Sequence, residues 1–148
     1  AAQLPHVFVY NRWQVQTSGN PHAHCILRGA VNQFGQSIPN FHYESITQLI
    51  ELYGKRNLQN PAIVIDTNHA NSGKKAREQI RITHEIMKNR QLSESIRRHV
   101  KGLMIESYLI EGAQDPAGKD RVLGKSITDP CLGWDDTARL VRDIAGMV

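Results

Sequence analysis

The sequence has little of several features that would assign it to a specialised class of protein. Only 2 of its 148 residues are cysteine and aromatic residues make up 6%. No apolar run approaches the roughly 18–20 residues that span a bilayer. So few cysteines are typical of a protein in a reducing compartment, although the sequence also allows one disulfide, between Cys25 and Cys131. We therefore expect a cytoplasmic protein with no membrane-spanning segment.

A strong excess of charge of one sign is also lacking. The chain has 18 Lys and Arg against 14 Asp and Glu, which gives a formal net charge of +4. Acidic and basic residues are interleaved, as on an ordinary solvated surface. The Tyr and Phe residues lie mostly in apolar segments and not beside basic clusters, so the composition disfavours a nucleic-acid-binding protein and leaves small anionic substrates as the more specific interpretation.

Hydrophobic periodicity predicts a β-hairpin followed by three strand–helix units in a single domain. The hairpin occupies residues 1–20, and the three units occupy residues 21–148. The predicted strands are residues 7–10, 14–17, 24–27, 62–65 and 102–105, the predicted helices are 40–54, 71–87 and 135–148, and the predicted irregular loops are 29–39 and 111–125. Alternation of strands and helices is typical of an α/β fold with parallel strands.

A polar side chain suited to a ligand follows each of the three later strands. Arg28 follows the first, Asp66 and His69 follow the second, and Glu106 follows the third. Catalytic groups of α/β barrels lie where parallel strands end, so these side chains are predicted to gather at one rim.

Arg28 is the candidate for anion binding. It precedes Gly29, which allows a ligand to approach the backbone closely. A guanidinium at this position can hold a carboxylate or phosphate through two parallel hydrogen bonds. The sequence leaves an alternative open, in which Arg28 pairs with a neighbouring carboxylate at a strand end.

His69 is the candidate for metal binding, because a neutral imidazole suits a first-row divalent ion. Glu106 occupies the equivalent end of the next strand, and Asp129 offers a further carboxylate in the segment 124–129. One histidine and two carboxylates are similar to a facial metal site with open positions. Spacing alone also allows a purely structural His69.

Several motifs of the chain carry a resemblance to a known family. In order along the sequence they are residues 18–21 with 26–29, 65–66 with 69–72, 104–107 with 111–112, 124–129, and 133–134. Together they resemble the C-terminal part of the type I 3-deoxy-D-arabino-heptulosonate 7-phosphate (DAHP) synthases, over nearly the whole chain. The chain departs locally at Ala30, Asn68 and Tyr108, where this family usually has Gly, Ser and His.

The resemblance implies a fold, a reaction and a set of site residues. The fold would be a partial (β/α)8 TIM barrel, and the reaction would be the aldol-type condensation of phosphoenolpyruvate with erythrose 4-phosphate to DAHP and phosphate, the first step of the shikimate pathway. By motif, Arg28 would bind phosphoenolpyruvate. His69, Glu106 and Asp129 would bind a divalent metal ion (Mn, Fe, Co or Zn), with His69 and Asp129 also catalytic.

The resemblance further implies that part of the site lies outside this sequence. The earlier strands of the family carry a fourth metal ligand, a cysteine, and basic residues for the substrates' phosphates, and Cys131 does not match that ligand. We therefore expect the chain alone to be inactive, with a complementing N-terminal half or further copies of itself as partner. The alternatives are a non-catalytic, self-associating remnant and a related synthase for another aldose phosphate, such as arabinose 5-phosphate, which the motifs at 26–29, 69–72 and 124–129 disfavour.

Overall fold

The computed structural model of the protein describes residues 2–56 and 58–148, and its elements alternate as an α/β fold. The strands are β1 (Val7–Tyr10), β2 (Trp13–Gln16), β3 (Cys25–Leu27), β4 (Ala30–Val31), β5 (Ser37–Ile38), β6 (Ile63–Asp66), β7 (Val100–Met104), β8 (Ile110–Ala113) and β9 (Lys125–Ser126). The helices are α1 (Tyr43–Gly54), α2 (His69–Ser72), α3 (Glu78–Leu92), α4 (Glu94–His99) and α5 (Trp134–Met147). None of these helices is long and apolar enough to cross a membrane.

The predicted N-terminal hairpin is confirmed. Strands β1 and β2 pair antiparallel, with Tyr10 opposite Trp13. The two residues between them, Asn11 and Arg12, both have positive φ angles, of 47° and 68°. Two-residue hairpin turns of this kind match the twist of the strands they join, which is why β2 begins one residue earlier than predicted.

The predicted parallel strands form a three-stranded sheet in the order β3-β6-β7. Ile65 in the central strand pairs with Leu27 on one side and Leu103 on the other. Strand β6 contains Ile63, Val64 and Ile65 of the continuous apolar run, so apolar side chains of this strand point to both faces of the sheet.

The hydrophobic core lies on one face of this sheet. Side chains from β3, β6, β7 and helices α1, α3 and α4 form a single buried cluster, whose members are Leu27, Phe41, Ile46, Ile63, Ile65, Ile82, Ile86, Ile96 and Val100. Residues of a strand alternate between the two faces, so Ile26, Val64 and Met104 lie on the opposite one. There Ile26 is 41% and Met104 38% exposed. Parallel sheets are normally covered on both faces, so within the described residues this sheet has an uncovered apolar face.

Both segments predicted as irregular loops contain short strands. Strands β4 and β5 pair antiparallel within residues 29–39, and β8 and β9 pair parallel at either end of residues 111–125. Strands of two residues are too short to show a period of two in the sequence, and the β8–β9 pairing joins segments far apart along the chain.

The second and third predicted helices also differ in detail. The helix expected from residue 71 is split, because Gly73 and Lys74 adopt positive φ angles of 60° after the single turn of α2. The helix expected over residues 135–148 forms as α5, one residue earlier at both ends, with Leu140 buried and Val141 exposed.

Gly29 lies between β3 and β4 and approaches Ala70 of the segment after β6 closely, and we predict that replacing it lowers stability. Its φ is 71°, and a Cβ there would lie 2.9 Å from both the Ala70 Cβ and the Ile38 carbonyl oxygen. Gly35→Ala is the matched control, since Gly35 has a φ of 78° but open space around it. In urea denaturation, Gly35→Ala should lower the free energy of unfolding by about 1–2 kcal/mol, and Gly29→Ala by about 1–3 kcal/mol more. Equal losses of unfolding free energy in the two variants would mean that the close contacts of Gly29 with Ala70 and Ile38 do not restrict the residue at this position.

Candidate metal centre

Three side chains from separate elements of the fold meet at the carboxyl end of the sheet. His69 opens α2 just after β6, Glu106 follows β7, and Asp129 follows β9. The His69 Nε2 atom lies 3.2 Å from Asp129 Oδ2 and 3.7 Å from Glu106 Oε1. One potential ligand atom from each residue lies within 4.8 Å of the others, and all three residues are half-buried. The structure thus brings together the three side chains that the sequence singled out as ligands.

The orientation of His69 depends on Asp66, the last residue of β6. Asp66 is 1% exposed, and its Oδ2 atom lies 2.7 Å from His69 Nδ1. The backbone N–H of Asn68 donates to the other carboxylate oxygen at 2.9 Å. A carboxylate only accepts hydrogen bonds, so the contact with Asp66 assigns a proton to Nδ1 and leaves Nε2 as the ring nitrogen that faces Glu106 and Asp129. Metal-binding histidines are commonly oriented in this way.

The backbone of His69 is itself unusual. Its φ is 43°, a left-handed conformation that is uncommon for residues other than glycine. Such conformations persist where surrounding contacts hold them, and they cluster at functional sites. The Asp66–His69 contact and the turn of α2 that begins at His69 provide those contacts.

Asp129 is held as a carboxylate by neighbouring basic groups. Lys74 Nζ donates to its Oδ1 atom at 2.8 Å. This hydrogen bond is the main reason that the pKa of Asp129 lies below its ordinary value, and His69 and Arg28 act in the same direction. An ionised carboxylate is the form that binds a metal ion.

Arg28 lies beside this cluster with most of its side chain accessible. Its Nε atom is 3.9 Å from Asp66 Oδ2, and its side chain is 58% exposed. The contact with Asp66 matches the alternative in which Arg28 pairs with a strand-end carboxylate. It is a long contact on an exposed side chain, and it leaves the guanidinium beside the cluster, where an anionic ligand would meet it.

The donor set of the cluster fits a divalent first-row ion. One imidazole nitrogen and two carboxylate oxygens are ligands that manganese, iron, cobalt and zinc all accept. Three protein ligands leave at least one position for another group, which is the arrangement of catalytic rather than structural sites.

Both cysteines are free thiols, so the Cys25–Cys131 disulfide that the sequence allowed does not form. Cys131 is buried, and its sulfur lies 3.8 Å from Glu106 Oε2. Burial, the largest cause, and the neighbouring Glu106 carboxylate raise the pKa of this thiol.

A cavity of about 500 Å³ adjoins the cluster on the side of Glu106 and Cys131. Its wall includes the basic residues Arg121 and Lys125 together with the apolar Leu123. A pocket with two cations next to a candidate metal centre is suited to an anionic ligand.

Sequence reasoning missed how several residues shape the site. Asp66 was predicted only as a ligand-suited residue at a strand end and not as the partner of His69 Nδ1, although an acid three residues before a histidine is within reach of its imidazole. Lys74 had no local signal, since its partner is 55 positions away. Asn68, noted only as a departure from the family, is buried, accepts from Ser72 Oγ at 2.8 Å and donates to the carbonyl of Pro130 at 3.3 Å.

Comparisons with known proteins agree on one family. The sequence profile of the DAHP synthetase I family matches residues 1–142. The chain is 37% identical over 134 residues to the Trp-sensitive phospho-2-dehydro-3-deoxyheptonate aldolase of Escherichia coli K12, covering 90% of this chain and 36% of that protein. It is 36% identical over 155 residues to the Phe-sensitive enzyme of the same strain, covering 100% of this chain and 41% of that protein.

A solved structure gives the same result in three dimensions. The phospho-2-dehydro-3-deoxyheptonate aldolase of Francisella tularensis SCHU S4 superposes with a TM-score of 0.82 at 32% identity, covering 99% of this chain and 42% of that one. The chain therefore spans about 36–42% of the length of these relatives.

Proposed function

Since the chain belongs to the DAHP synthetase I family, we propose that it forms the C-terminal part of the active site for condensing phosphoenolpyruvate with erythrose 4-phosphate. The products would be DAHP and phosphate, at the first step of the shikimate pathway. The observation that carries this proposal is the meeting of His69, Glu106 and Asp129 beside Arg28. The free thiols fit a cytoplasmic enzyme.

Each residue of the site would have a distinct role. His69, Glu106 and Asp129 hold a divalent metal ion, which when bound supplies Lewis-acid polarisation of the aldehyde. Asp66 orients His69, and Lys74 keeps Asp129 ionised.

Arg28 would hold phosphoenolpyruvate by its carboxylate or phosphate, through charge-assisted hydrogen bonds. The methylene carbon of phosphoenolpyruvate would form a bond to the aldehyde carbon of erythrose 4-phosphate, whose oxygen takes up a proton to become a hydroxyl. Water would add to the neighbouring carbon that carries the phosphate and lose its protons, and phosphate would leave with cleavage of that carbon–oxygen bond to give the ketone of DAHP.

The three-stranded sheet would be part of a (β/α)8 barrel, and residues 1–148 a single portion of it. The uncovered face with Ile26 and Met104 supports this assignment, because the interior of such a barrel is filled by side chains from all its strands. A partner carrying the remaining strands would cover this face and complete both substrate sites. The chain alone would then be inactive.

A second candidate is a non-catalytic module that binds copies of itself. Its support is the hairpin β1–β2, which exposes large apolar side chains: Val9 is 76% exposed and Trp13 is 75% exposed. Apolar patches of this kind commonly mark interaction sites.

Phosphate release measured with Mn²⁺ and both substrates separates the two candidates. We expect no turnover from the chain alone. Turnover should appear on mixing with a separately produced N-terminal part of a relative, and Asp129→Asn should abolish it. Turnover by the chain alone would contradict the incomplete site. Mixtures that form a complex without turnover, alongside concentration-dependent self-association, would favour the interaction module.

A further inference from the structure

We propose that Gln79 is a positioning residue that holds the backbone of Glu106, and thereby its carboxylate, in place for metal binding. The inference rests on the proposed function, because it takes Glu106 to be a ligand. Gln79 lies in the first turns of α3 and belongs to none of the motifs found in the sequence. It is fully buried, although glutamine is usually an exposed residue.

The side chain of Gln79 pairs with both backbone groups of Glu106. The Glu106 N–H donates to Gln79 Oε1 at 2.9 Å, and Gln79 Nε2 donates to the Glu106 carbonyl at 3.0 Å. In an antiparallel pair of strands, one residue of the neighbouring strand forms the same two hydrogen bonds. The carboxamide of Gln79 therefore pairs with the Glu106 backbone as a strand residue would, although it comes from a helix.

Glu106 lies beyond the end of β7, so its backbone groups need hydrogen-bond partners other than those of the β6–β7 pairing. The last register pair between β6 and β7 is Asp66 with Met104, two residues before Glu106. The chain then turns away, and the Glu106 carbonyl also accepts from the N–H of Leu132 at 2.9 Å. Gln79 is the described acceptor for the Glu106 N–H.

The same carboxamide also ties Glu106 to the strand that leads to His69. The one proton of Thr67 Oγ1 has two acceptors within hydrogen-bond distance, Gln79 Oε1 at 3.1 Å and the Met104 carbonyl oxygen at 2.9 Å. Gln79 thus links the segments that carry two of the three candidate ligands, and its own side chain is buried. Buried polar networks whose members are hydrogen-bonded to one another rigidify a site.

Only a carboxamide satisfies these partners together. It offers an acceptor to the Glu106 N–H and a donor to the Glu106 carbonyl in one plane. Gln79→Met keeps the length of the side chain and removes both groups. Gln79→Glu keeps the acceptor for Glu106 N–H and Thr67 but replaces the donor by an oxygen facing a carbonyl oxygen.

The test compares these variants with Ile86→Ala, a control in the same helix. Ile86 is fully buried in the core cluster, so its truncation lowers stability without touching the hydrogen bonds of Glu106. Mn²⁺ affinity is measured by calorimetry, the environment of bound Co²⁺ by its visible absorption, and the protection of the Glu106 amide by hydrogen exchange. All are recorded at a temperature where every variant is folded.

We expect Gln79→Met to weaken Mn²⁺ binding about 10–100-fold, as removal of residues that orient metal ligands typically does. It should also shift the Co²⁺ spectrum and speed exchange of the Glu106 amide beyond that of the central sheet. Gln79→Glu should give a smaller change in the same direction, and it serves as the test if Gln79→Met does not fold. Ile86→Ala should lower the melting temperature and leave affinity and spectrum unchanged.

Unchanged protection of the Glu106 amide in both Gln79 variants would overturn the inference, and so would a loss of affinity equal to that of Ile86→Ala. The proposed function is tested separately by Glu106→Gln. If that variant bound Mn²⁺ like the wild type, Glu106 would not be a ligand. The exchange data would still report whether Gln79 holds its backbone.

Discussion

Replacing His69 by alanine should reduce the affinity of the chain for Mn²⁺ by more than about 100-fold, since loss of a group that merely orients a ligand already costs 10–100-fold. Among the three candidate residues, His69 supplies the only nitrogen ligand. The carboxylates of Glu106 and Asp129 both lie close to its Nε2 atom. Removal of the imidazole leaves two carboxylates as the remaining protein ligands of the cluster, one fewer than in the wild type.

Calorimetric titration of the metal-free chain with Mn²⁺ measures this loss. His84→Ala is the matched control, because His84 is a partly exposed histidine in α3 whose Nε2 contacts Asp143 at 3.2 Å. The control should bind Mn²⁺ like the wild type. If His69→Ala bound the ion equally well, His69 would have to be removed from the ligand set and the proposed chemistry would lose its basis.

Truncation of Ile65 to alanine should lower the free energy of unfolding by about 2–5 kcal/mol, the usual cost of removing a large side chain from a packed core. Ile65 is fully buried at the centre of β6 and packs in the cluster beneath helices α1, α3 and α4. The surrounding strands are held by their hydrogen-bond ladders, so the cavity cannot collapse completely.

Val64→Ala is the control, because Val64 is the neighbouring residue on the opposite, uncovered face of the sheet. It is only half-buried, so its truncation should cost about 1 kcal/mol in the isolated chain. Urea denaturation followed by tryptophan fluorescence and circular dichroism compares the two. Similar losses for both variants would contradict the one-sided core described above.

The sequence-based predictions agree best with the structure where the signal lies in consecutive residues. The apolar run at residues 62–65 predicted a buried strand, and β6 is displaced from it by a single residue. The hairpin needed only two short apolar segments around a turn. By contrast, the start of α3 was misplaced, because α2 ends after one turn at Gly73, which adopts the left-handed conformation common for glycine at helix ends, and Lys74 continues with positive φ.

The candidate site shows the same division. His69, Glu106 and Asp129 stand out because each follows a strand, and parallel strands end at a common rim. The residues that hold them do not stand out. Gln79 reads as one more polar residue on a helix, since its partner Glu106 is 27 positions further along the chain.

Periodicity and motif order alone were thus enough to establish the alternating α/β organisation, the family resemblance and the three candidate ligands. These features depend on residues close together in the sequence, so they can be recognised without the three-dimensional structure. Folding was needed to reveal the uncovered sheet face, the tautomer that Asp66 imposes on His69, and the pairing of Gln79 with Glu106. Each of these depends on atoms brought together from distant positions or on a backbone conformation that local preference disfavours, and such contacts are specified by packing in three dimensions.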